Sequence, residues 1–358
     1  MKVSLLAHTT PFSGTTGMGG GITKILYNVG KELIGMGHDV KLTVRNDYVP
    51  KEKWIETVYS PKISWMLYPY FLKGRLSKID ADVYHADYVT TGAPLIWKKK
   101  RPSVVSIHDV IPFKYDMSKQ SRANKLRVWW YMKNFKTISR ADSILVLSEY
   151  AKKEALEYTN LDEDKIRVVY IGADVDHFHP LKRKPNKKLK IGYVGGLDGR
   201  KNVTLLIDAF KDLLKERNDV ELHVGGGGSN LEKFRSMNLK NAKFYGFVPD
   251  KELNKFLNSL DVFVYPTLDE GFGLPPLEAM TAGTPVVAAN TCSMPEVVGK
   301  AGLLVEPNPK SMKEGLLKMI DSSSLRKKYS KLGITNAKKF TWKASAKNTL
   351  KIYKELVE

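Results

Sequence analysis

At 358 residues the chain is longer than one α/β domain usually runs, which favours two separate cores. Its 42% hydrophobic and 27% charged residues suit a soluble globular protein, no apolar run approaches the roughly 20 residues of a membrane span, and the one cysteine, Cys292, excludes an intrachain disulfide or a multi-cysteine zinc site. With 58 Lys plus Arg against 38 Asp plus Glu the formal charge is +20, which attracts polyanions in general, so its meaning depends on where the cations fall.

The chain enters strand-like sequence at once, Lys2 to His8, and lacks the longer apolar core of a signal peptide, so a cytoplasmic protein is expected. Gly17-Met18-Gly19-Gly20-Gly21-Ile22 follows, a turn into a helix whose backbone N–H groups can cradle an anion. Its spacing is not that of the dinucleotide fingerprint, and no convincing acidic partner follows the second strand. Ile22, Ile25, Leu26, Val29, Leu33 and Met36 form an apolar stripe closed by Gly35 and Gly37, and Val40 to Val44 reads as the next strand. Further strands are expected at Asp82 to His85, Ser103 to His108 and Ser143 to Leu147, which makes a doubly wound pattern. His108 closes its strand where α/β sheets place ligands, although a lone histidine there is more often a structural residue.

Between Arg122 and Arg140, Leu126, Trp129, Met132, Phe135 and Ile138 recur at three-residue intervals among six basic residues. Two readings stay open. The stripe packs on the sheet with solvated cations, or it docks on an anionic membrane surface with help from Lys98-Lys99-Lys100-Arg101.

Residues 181–190, basic and holding a proline, read as a linker between a first domain at 1–180 and a second at 191–341. Strand and helix patterns then restart with Lys190 to Val194, Val203 to Leu214, Val220 to Val224, Val262 to Tyr265, Pro285 to Ala289 and Leu303 to Val305. The tail 342–358 has helical spacing through Ala346, Leu350, Tyr353 and Leu356 and is expected to pack back on the first domain.

The second domain carries the densest chemistry. Asp269-Glu270-Gly271-Phe272-Gly273-Leu274-Pro275-Pro276-Leu277-Glu278-Ala279-Met280 is a Gly-rich turn from strand to helix with one carboxylate in the turn and one in the helix, suited to hold hydroxyls of one ligand. Gly199-Arg200-Lys201-Asn202 places cations where another strand meets its helix, and such cations can neutralise a leaving phosphate. Val224 to Ser229 reads as a glycine-rich turn after a strand, and Phe244 to Val248 as a further turn. Asp-x-Asp triplets at Asp80/Asp82, Asp162/Asp164 and Asp174/Asp176 lack a buried strand before them, so no metal site is expected.

The Asp269 to Met280 segment resembles the paired-glutamate motif, two Glu separated by seven residues, of retaining family-four glycosyltransferases, the glycosyl transferases group 1; Ala282-Gly283-Thr284-Pro285-Val286-Val287 matches that family too. The resemblance implies an α/β GT-B fold, two Rossmann-like domains with parallel sheets facing a central cleft. It implies that Glu270 contacts the donor sugar and Glu278 the nucleotide ribose, with the backbone of Phe272, Gly273 and Leu274 toward the diphosphate. Lys201 matches the family's phosphate-binding lysine, and Arg200 is expected to stand in for an arginine that many members carry where this chain has Gly196. Gly20 and Gly21 match a loop near the donor, His108 a histidine near the transferring sugar, and Phe247 and Val248 a segment beside the base; Ser148 and Glu149 match without a clear role.

The expected activity is retaining transfer of a hexose from a nucleotide diphosphate sugar to a lipid-linked or glycan acceptor, without cofactor or nucleic acid, on the inner membrane face. Rival readings are a sugar-nucleotide epimerase, a catalytically silent sugar-nucleotide-binding module, and a nucleic-acid-binding protein, which suits the charge but has no recognition motif.

Overall fold

The computed structural model describes residues 1–8, 20–45, 52–58, 65–182, 185–197 and 199–358. They form two compact units, Met1–Ile171 with Trp342–Glu358, and Gly172–Thr341. The division falls ahead of the basic stretch that begins at 181. That stretch is bonded to the second unit: Leu181 N–H donates to Asn258 Oδ1 at 2.7 Å, and the Asn186 amide donates to Ser259 O and Asp261.

In the first unit β1 (Lys2–Leu6), β2 (Asp39–Arg45), β3 (Ile55–Val58), β4 (Val83–Ala86), β5 (Ser103–Ile107), β6 (Ser143–Val146) and β7 (Ile166–Val168) make one parallel sheet. Its order is β3-β2-β1-β4-β5-β6-β7. Parallel strands need crossover helices, and α1 (Gly20–Gly35), α2 (Tyr68–Leu76), α3 (Val89–Trp97), α4 (Arg122–Ile138) and α5 (Glu149–Tyr158) supply them. Strand alternation divides the core by face. Leu6 joins Leu72, Ala93, Phe135 and Ala151 from α2 to α5, whereas Val3 and Leu5 join Leu26, Val29 and Leu33 of α1. α1 stops where Gly37 adopts φ +86° and His38 N–H returns to Leu33 O, a left-handed helix cap.

α4 departs from the sequence expectation. Val128, Tyr131, Phe135 and Ile138 are its buried stripe, while Leu126 is 52% and Trp129 53% exposed. A three-residue step falls about 60° short of a full helical turn, so the regular series from Leu126 to Ile138 winds around the helix rather than lining one face.

In the second unit β8 (Leu189–Val194), β9 (Val220–Gly225), β10 (Ala242–Gly246), β11 (Val262–Tyr265), β12 (Val286–Ala289) and β13 (Leu303–Val305) form a parallel sheet in the order β10-β9-β8-β11-β12-β13. Its helices are α6 (Val203–Leu214), α7 (Leu231–Ser236), α8 (Asp250–Ser259), α9 (Leu274–Thr281), α10 (Met294–Val297), α11 (Pro309–Asp321) and α12 (Ser323–Ala337). α13 (Trp342–Val357) belongs to the first unit, where Ala346, Ile352 and Tyr353 are buried beside the α1 stripe. Tyr353 Oη lies 2.6 Å from Nδ1 of the buried His85 on β4, and His85 Nε2 lies 2.8 Å from Ser106 Oγ on β5. Burial holds that imidazole down to about 3, so it stays neutral and can serve both bonds.

Candidate functional site

In each sheet the strand order reverses once, between β1 and β4 and between β8 and β11. Loops leaving such a pair diverge to opposite sides, and the gap at the strands' C-terminal ends is where open α/β sheets receive ligands. The notable side chains of each unit lie at its own reversal.

In the second unit the loop after β8 is held close to the loop after β9. Gly195 N–H donates to Gly225 O and Leu197 N–H to Gly227 O, at 3.1 and 3.0 Å. Gly226 has φ +142°, and a Cβ built on it would sit 1.8 Å from Gly195 O, so only glycine allows this approach. Gly226 N–H also donates to Gly246 O, at 2.6 Å, which carries the row of loops on to Phe247 and Val248. Phe247 is 64% exposed there, while Val248 packs toward Gly225.

After the β8 loop a short 3₁₀ turn, Gly199–Lys201, ends at Asn202, whose φ of +52° starts α6. This turn delivers two cations to the loop after β11. Lys201 Nζ donates to Tyr265 Oη at 2.9 Å and forms a short ion pair with Glu270. Tyr265, the last residue of β11, donates its own hydroxyl to Glu270 Oε2 at 2.9 Å. Arg200 Nη1 donates to Asp269 O at 3.0 Å and stands 3.8 Å from Glu270 Oε2. Both backbones are pinned: Leu268 N–H donates to Arg200 O, and Ser293 Oγ bonds Glu270 O and Phe272 O.

Burial pushes the Glu270 carboxyl up, but Lys201, then Arg200 and the Tyr265 hydroxyl, more than offset it and leave it below its ordinary value. Burial, then the Glu270 charge, raises the Tyr265 phenol well above its ordinary value, so it remains a neutral donor. The result is an ionised carboxylate and two cations at one mouth, with Arg200 the more exposed cation.

Gly273 caps α9 at φ +104°, and a Cβ there would meet Met294 Cε at 2.3 Å. Phe272 points into the core, 2% exposed and edge-on to Phe340, so only its backbone is available to a ligand. Pro275 and Pro276 have no N–H, which leaves Leu274 as the first-turn donor ahead of Leu277. Glu278 lies in the second turn of α9, half-buried.

In the first unit Asp87 follows β4 directly. Its carboxylate accepts His8 N–H at 3.0 Å, Thr23 Oγ1 at 3.1 Å and Thr91 Oγ1 at 2.9 Å, tying together the ends of β1, α1 and α3. Burial nevertheless pushes it up to about 7. His108 follows β5, and its Nε2–H donates to Asp87 O at 2.6 Å. Burial pulls the ring down to about 4 against that bond, so it is neutral and Nδ1 carries a lone pair, without a partner among the described residues. The Tyr88 ring stacks on it at 6.5 Å. Gly20 and Gly21 open α1, whereas Gly17 to Gly19 and Asp198 lie outside the described residues.

The structure thus brings Arg200, Lys201 and Glu270 together at one reversal, sets the Phe272–Leu274 backbone beside them, and places His108 with Asp87 at the other unit's reversal. Sequence reasoning missed Tyr265, which reads as the end of a buried apolar run, and Asp87; the positional signal for both was the last or next residue of a strand at a reversal. The Asp-x-Asp triplets bond backbone: Asp162 and Asp174 accept N–H groups two residues on, and Asp82 accepts Lys2 N–H at the start of β1. Ser148 caps α5 by accepting Ala151 N–H at 2.9 Å. Among the described residues no group of three or more His, Cys, Asp or Glu is set to hold a metal.

Residues 174–336 match the family model described as glycosyl transferases group 1, and residues 19–177 that described as glycosyltransferase family 4. The chain is 30% identical over 240 residues to O-antigen chain mannosyltransferase B of Escherichia coli, covering 62% of each. It is 31% identical over 245 residues to D-inositol 3-phosphate glycosyltransferase of Corynebacterium jeikeium, covering 61% of this chain and 58% of the relative. It therefore spans about three fifths of these relatives' lengths. Among solved structures, sucrose-phosphate synthase of Thermosynechococcus elongatus superposes with a TM-score of 0.81 at 19% identity, over 99% of both chains. HepE of Anabaena, in complex with UDP and glucose, gives 0.75 at 17%, over 99% of this chain and 100% of HepE. At such identities the likeness concerns the fold, which is the expected α/β GT-B class with its two parallel sheets.

Proposed function

The chain belongs to the group 1, family-four glycosyltransferases, and from that premise we propose that it moves a hexose from a nucleotide diphosphate sugar to a lipid-linked or glycan acceptor with retention of anomeric configuration. The observation that carries this reading is the convergence of Lys201, Arg200 and Glu270 at the β8–β11 reversal. An anionic leaving group and a polyhydroxyl donor need that combination, cations for the diphosphate and a carboxylate acceptor for sugar hydroxyls.

In this reading Glu270 binds donor-sugar hydroxyls, Glu278 the ribose, and the Phe272–Leu274 backbone the diphosphate. Phe247 and Val248 lie beside the base, and Gly20 and Gly21 near the donor. Lys201 and Arg200 stabilise the charge that develops as the bond from the anomeric carbon to the phosphate oxygen breaks, which leaves an oxocarbenium-like centre. The acceptor oxygen bonds to the same face, and its proton passes to the departing phosphate oxygen. His108, neutral and with Nδ1 able to accept, contacts a hydroxyl of the transferring sugar. With two cations on the diphosphate, the reaction proceeds without an essential metal. The UDP and glucose bound by HepE, and the mannosyl transfer named for the Escherichia coli relative, support a nucleotide-hexose donor without choosing the base or sugar. The site of action in this reading is the cytoplasm, on the inner face of the membrane when the acceptor is lipid-linked.

A screen of nucleotide sugars for release of free nucleotide, with and without lipid-phosphate acceptors and in excess EDTA, tests the reading. Acceptor-dependent release that survives EDTA is expected. Release from no donor removes the transfer reading, and release that only manganese restores removes its metal independence.

A further inference from the structure

Of the four helices that cover one face of the first unit's sheet, α2, α3 and α4 contain no Asp or Glu, and only α5 carries acids. The outward side of α4 is a stripe at helical spacing: Arg122, Lys125, Leu126, Trp129, Lys133 and Lys136. Trp129 is 53% exposed with Lys133 Nζ 5.2 Å from its ring centre. Leu67, which precedes α2, and Tyr70 and Phe71 on it are 45%, 51% and 39% exposed. The two helices meet at this apolar ground, since Tyr70 and Trp129 both lie against the buried Trp130, with ring centres 6.2 and 6.4 Å away. Among the described residues, none of Lys73, Lys125, Lys133 or Lys136 is in an ion pair with a carboxylate.

We propose that this face, with Leu67, Tyr70 and Phe71 at the start of α2 and Leu126 and Trp129 of α4 amid lysines that have no carboxylate partner among the described residues, docks on the interface of an anionic lipid bilayer. Charge complementarity selects the occupant. A second copy would present the same cations and be repelled, whereas anionic headgroups neutralise them. Leucine and phenylalanine gain nothing from the phosphates of a nucleic acid but are buried at the acyl boundary, and indole and phenol rings settle at headgroup level. The lysine stems reach past the apolar ground with their charges outward. No helix among the described residues is long and apolar enough to cross a membrane, so this contact lies on the surface. The docking face differs from the one suggested by sequence alone: Trp130 and Tyr131 are buried, Lys100 is turned inward to Ile79 O, and Arg101 is paired with Asp142.

The test uses the full chain and needs no donor or acceptor, so its failure and that of the transfer reading are separable. The protein is sedimented with vesicles of phosphatidylcholine alone or with an equal part of phosphatidylglycerol. Binding to the mixed vesicles is expected, weakened as salt rises from about 0.1 M to about 1 M and the screening length falls from about 10 to about 3 Å. Tyr70→Ser with Trp129→Ser, and separately Lys125→Glu with Lys133→Glu, should each lower partitioning by about tenfold or more while circular dichroism shows the chain still folded, since all four side chains are at least half exposed or solvent-facing. Absence of binding to either vesicle at low salt overturns the proposal, including when a single-stranded oligonucleotide is bound instead. So does undiminished binding by the Tyr70/Trp129 variant, which would reduce the contact to charge without insertion.

Discussion

Replacing Lys201 or Glu270 by alanine should cost about 3–4 kcal/mol of transition-state stabilisation in kcat/KM, the scale on which one preorganised charge partner acts. The fold should persist, because both lie in loops pinned by other bonds. Near-normal turnover of Lys201→Ala would remove its assigned role. Tyr265→Phe is a finer probe. It keeps the ring stacked on Tyr193 but deletes the hydroxyl that accepts from Lys201 and donates to Glu270. Losing a hydrogen bond to a charged group predicts a fall in kcat of about tenfold or more, 1.5–3 kcal/mol, with KM little changed; an unaltered kcat would make the tyrosine purely structural. Asp87 gives a pH signature. Its folded value of about 7 exceeds its ordinary 3.8, so the folded unit keeps a proton that the unfolded chain releases, and the associated stability is present at low pH and lost as pH rises toward 7. Urea unfolding of the native chain and Asp87→Asn should show their stability difference moving in the variant's favour by about 1.4 kcal/mol per pH unit across that window and flattening above it. A pH-independent difference would refute the raised value. Residue chemistry was legible where Glu270, Lys201 and Arg200 stand in polar, glycine-rich context. Tyr265 and Asp87 were hidden because each adjoins an apolar strand, and only strand order reveals that those strands flank a reversal.

Among the elements, the loops after β8 and β9 are tied to each other backbone to backbone. Gly226→Ala forces a Cβ onto Gly195 O, with little room for adjustment because both atoms belong to backbone. A cost of about 2–4 kcal/mol to the second unit is expected from denaturant unfolding, together with weaker nucleotide-sugar binding as the loop row is displaced. Stability equal to the native chain would show that the loops separate easily. The central strands were readable because burial on both faces makes continuous apolar runs, as in Val262 to Tyr265 and Ser143 to Val146. β3, β7 and β10 were not: they are three of the four edge strands and mix polar with apolar residues, as in Ala242-Lys243-Phe244-Tyr245-Gly246, whereas the fourth edge, β13, is wholly apolar. α4 was found as a helix, but its buried face was misread. Its outward Leu126 and Trp129 are as apolar as its inward Val128 and Phe135, and hydrophobicity alone does not tell a core from a docking surface.

On the scale of the whole molecule, the basic charge is placed unevenly, with three helices free of Asp and Glu, α2 to α4, on the first unit and the Arg200–Lys201 pair on the second. The tryptophans are uneven too. All six lie in the first unit, at 54, 65, 97, 129, 130 and 342, so tryptophan emission reports that unit alone while the second is followed through tyrosine. The discontinuous first unit has a further consequence, for the timing of synthesis. α13 covers Leu26, Val29 and Leu33, yet the ribosome makes it only after the entire second unit. Domains ordinarily fold in the order they emerge. Here the unit begun first waits with an open apolar flank, while the continuous Gly172–Thr341 segment has everything it needs to finish folding. A chain halted at Thr341 should therefore yield a protease-resistant second unit beside a digestible first one. Equal resistance of both would mean that α13 is an ornament on an already complete fold, and the nascent chain would have no interval in which it depends on a chaperone.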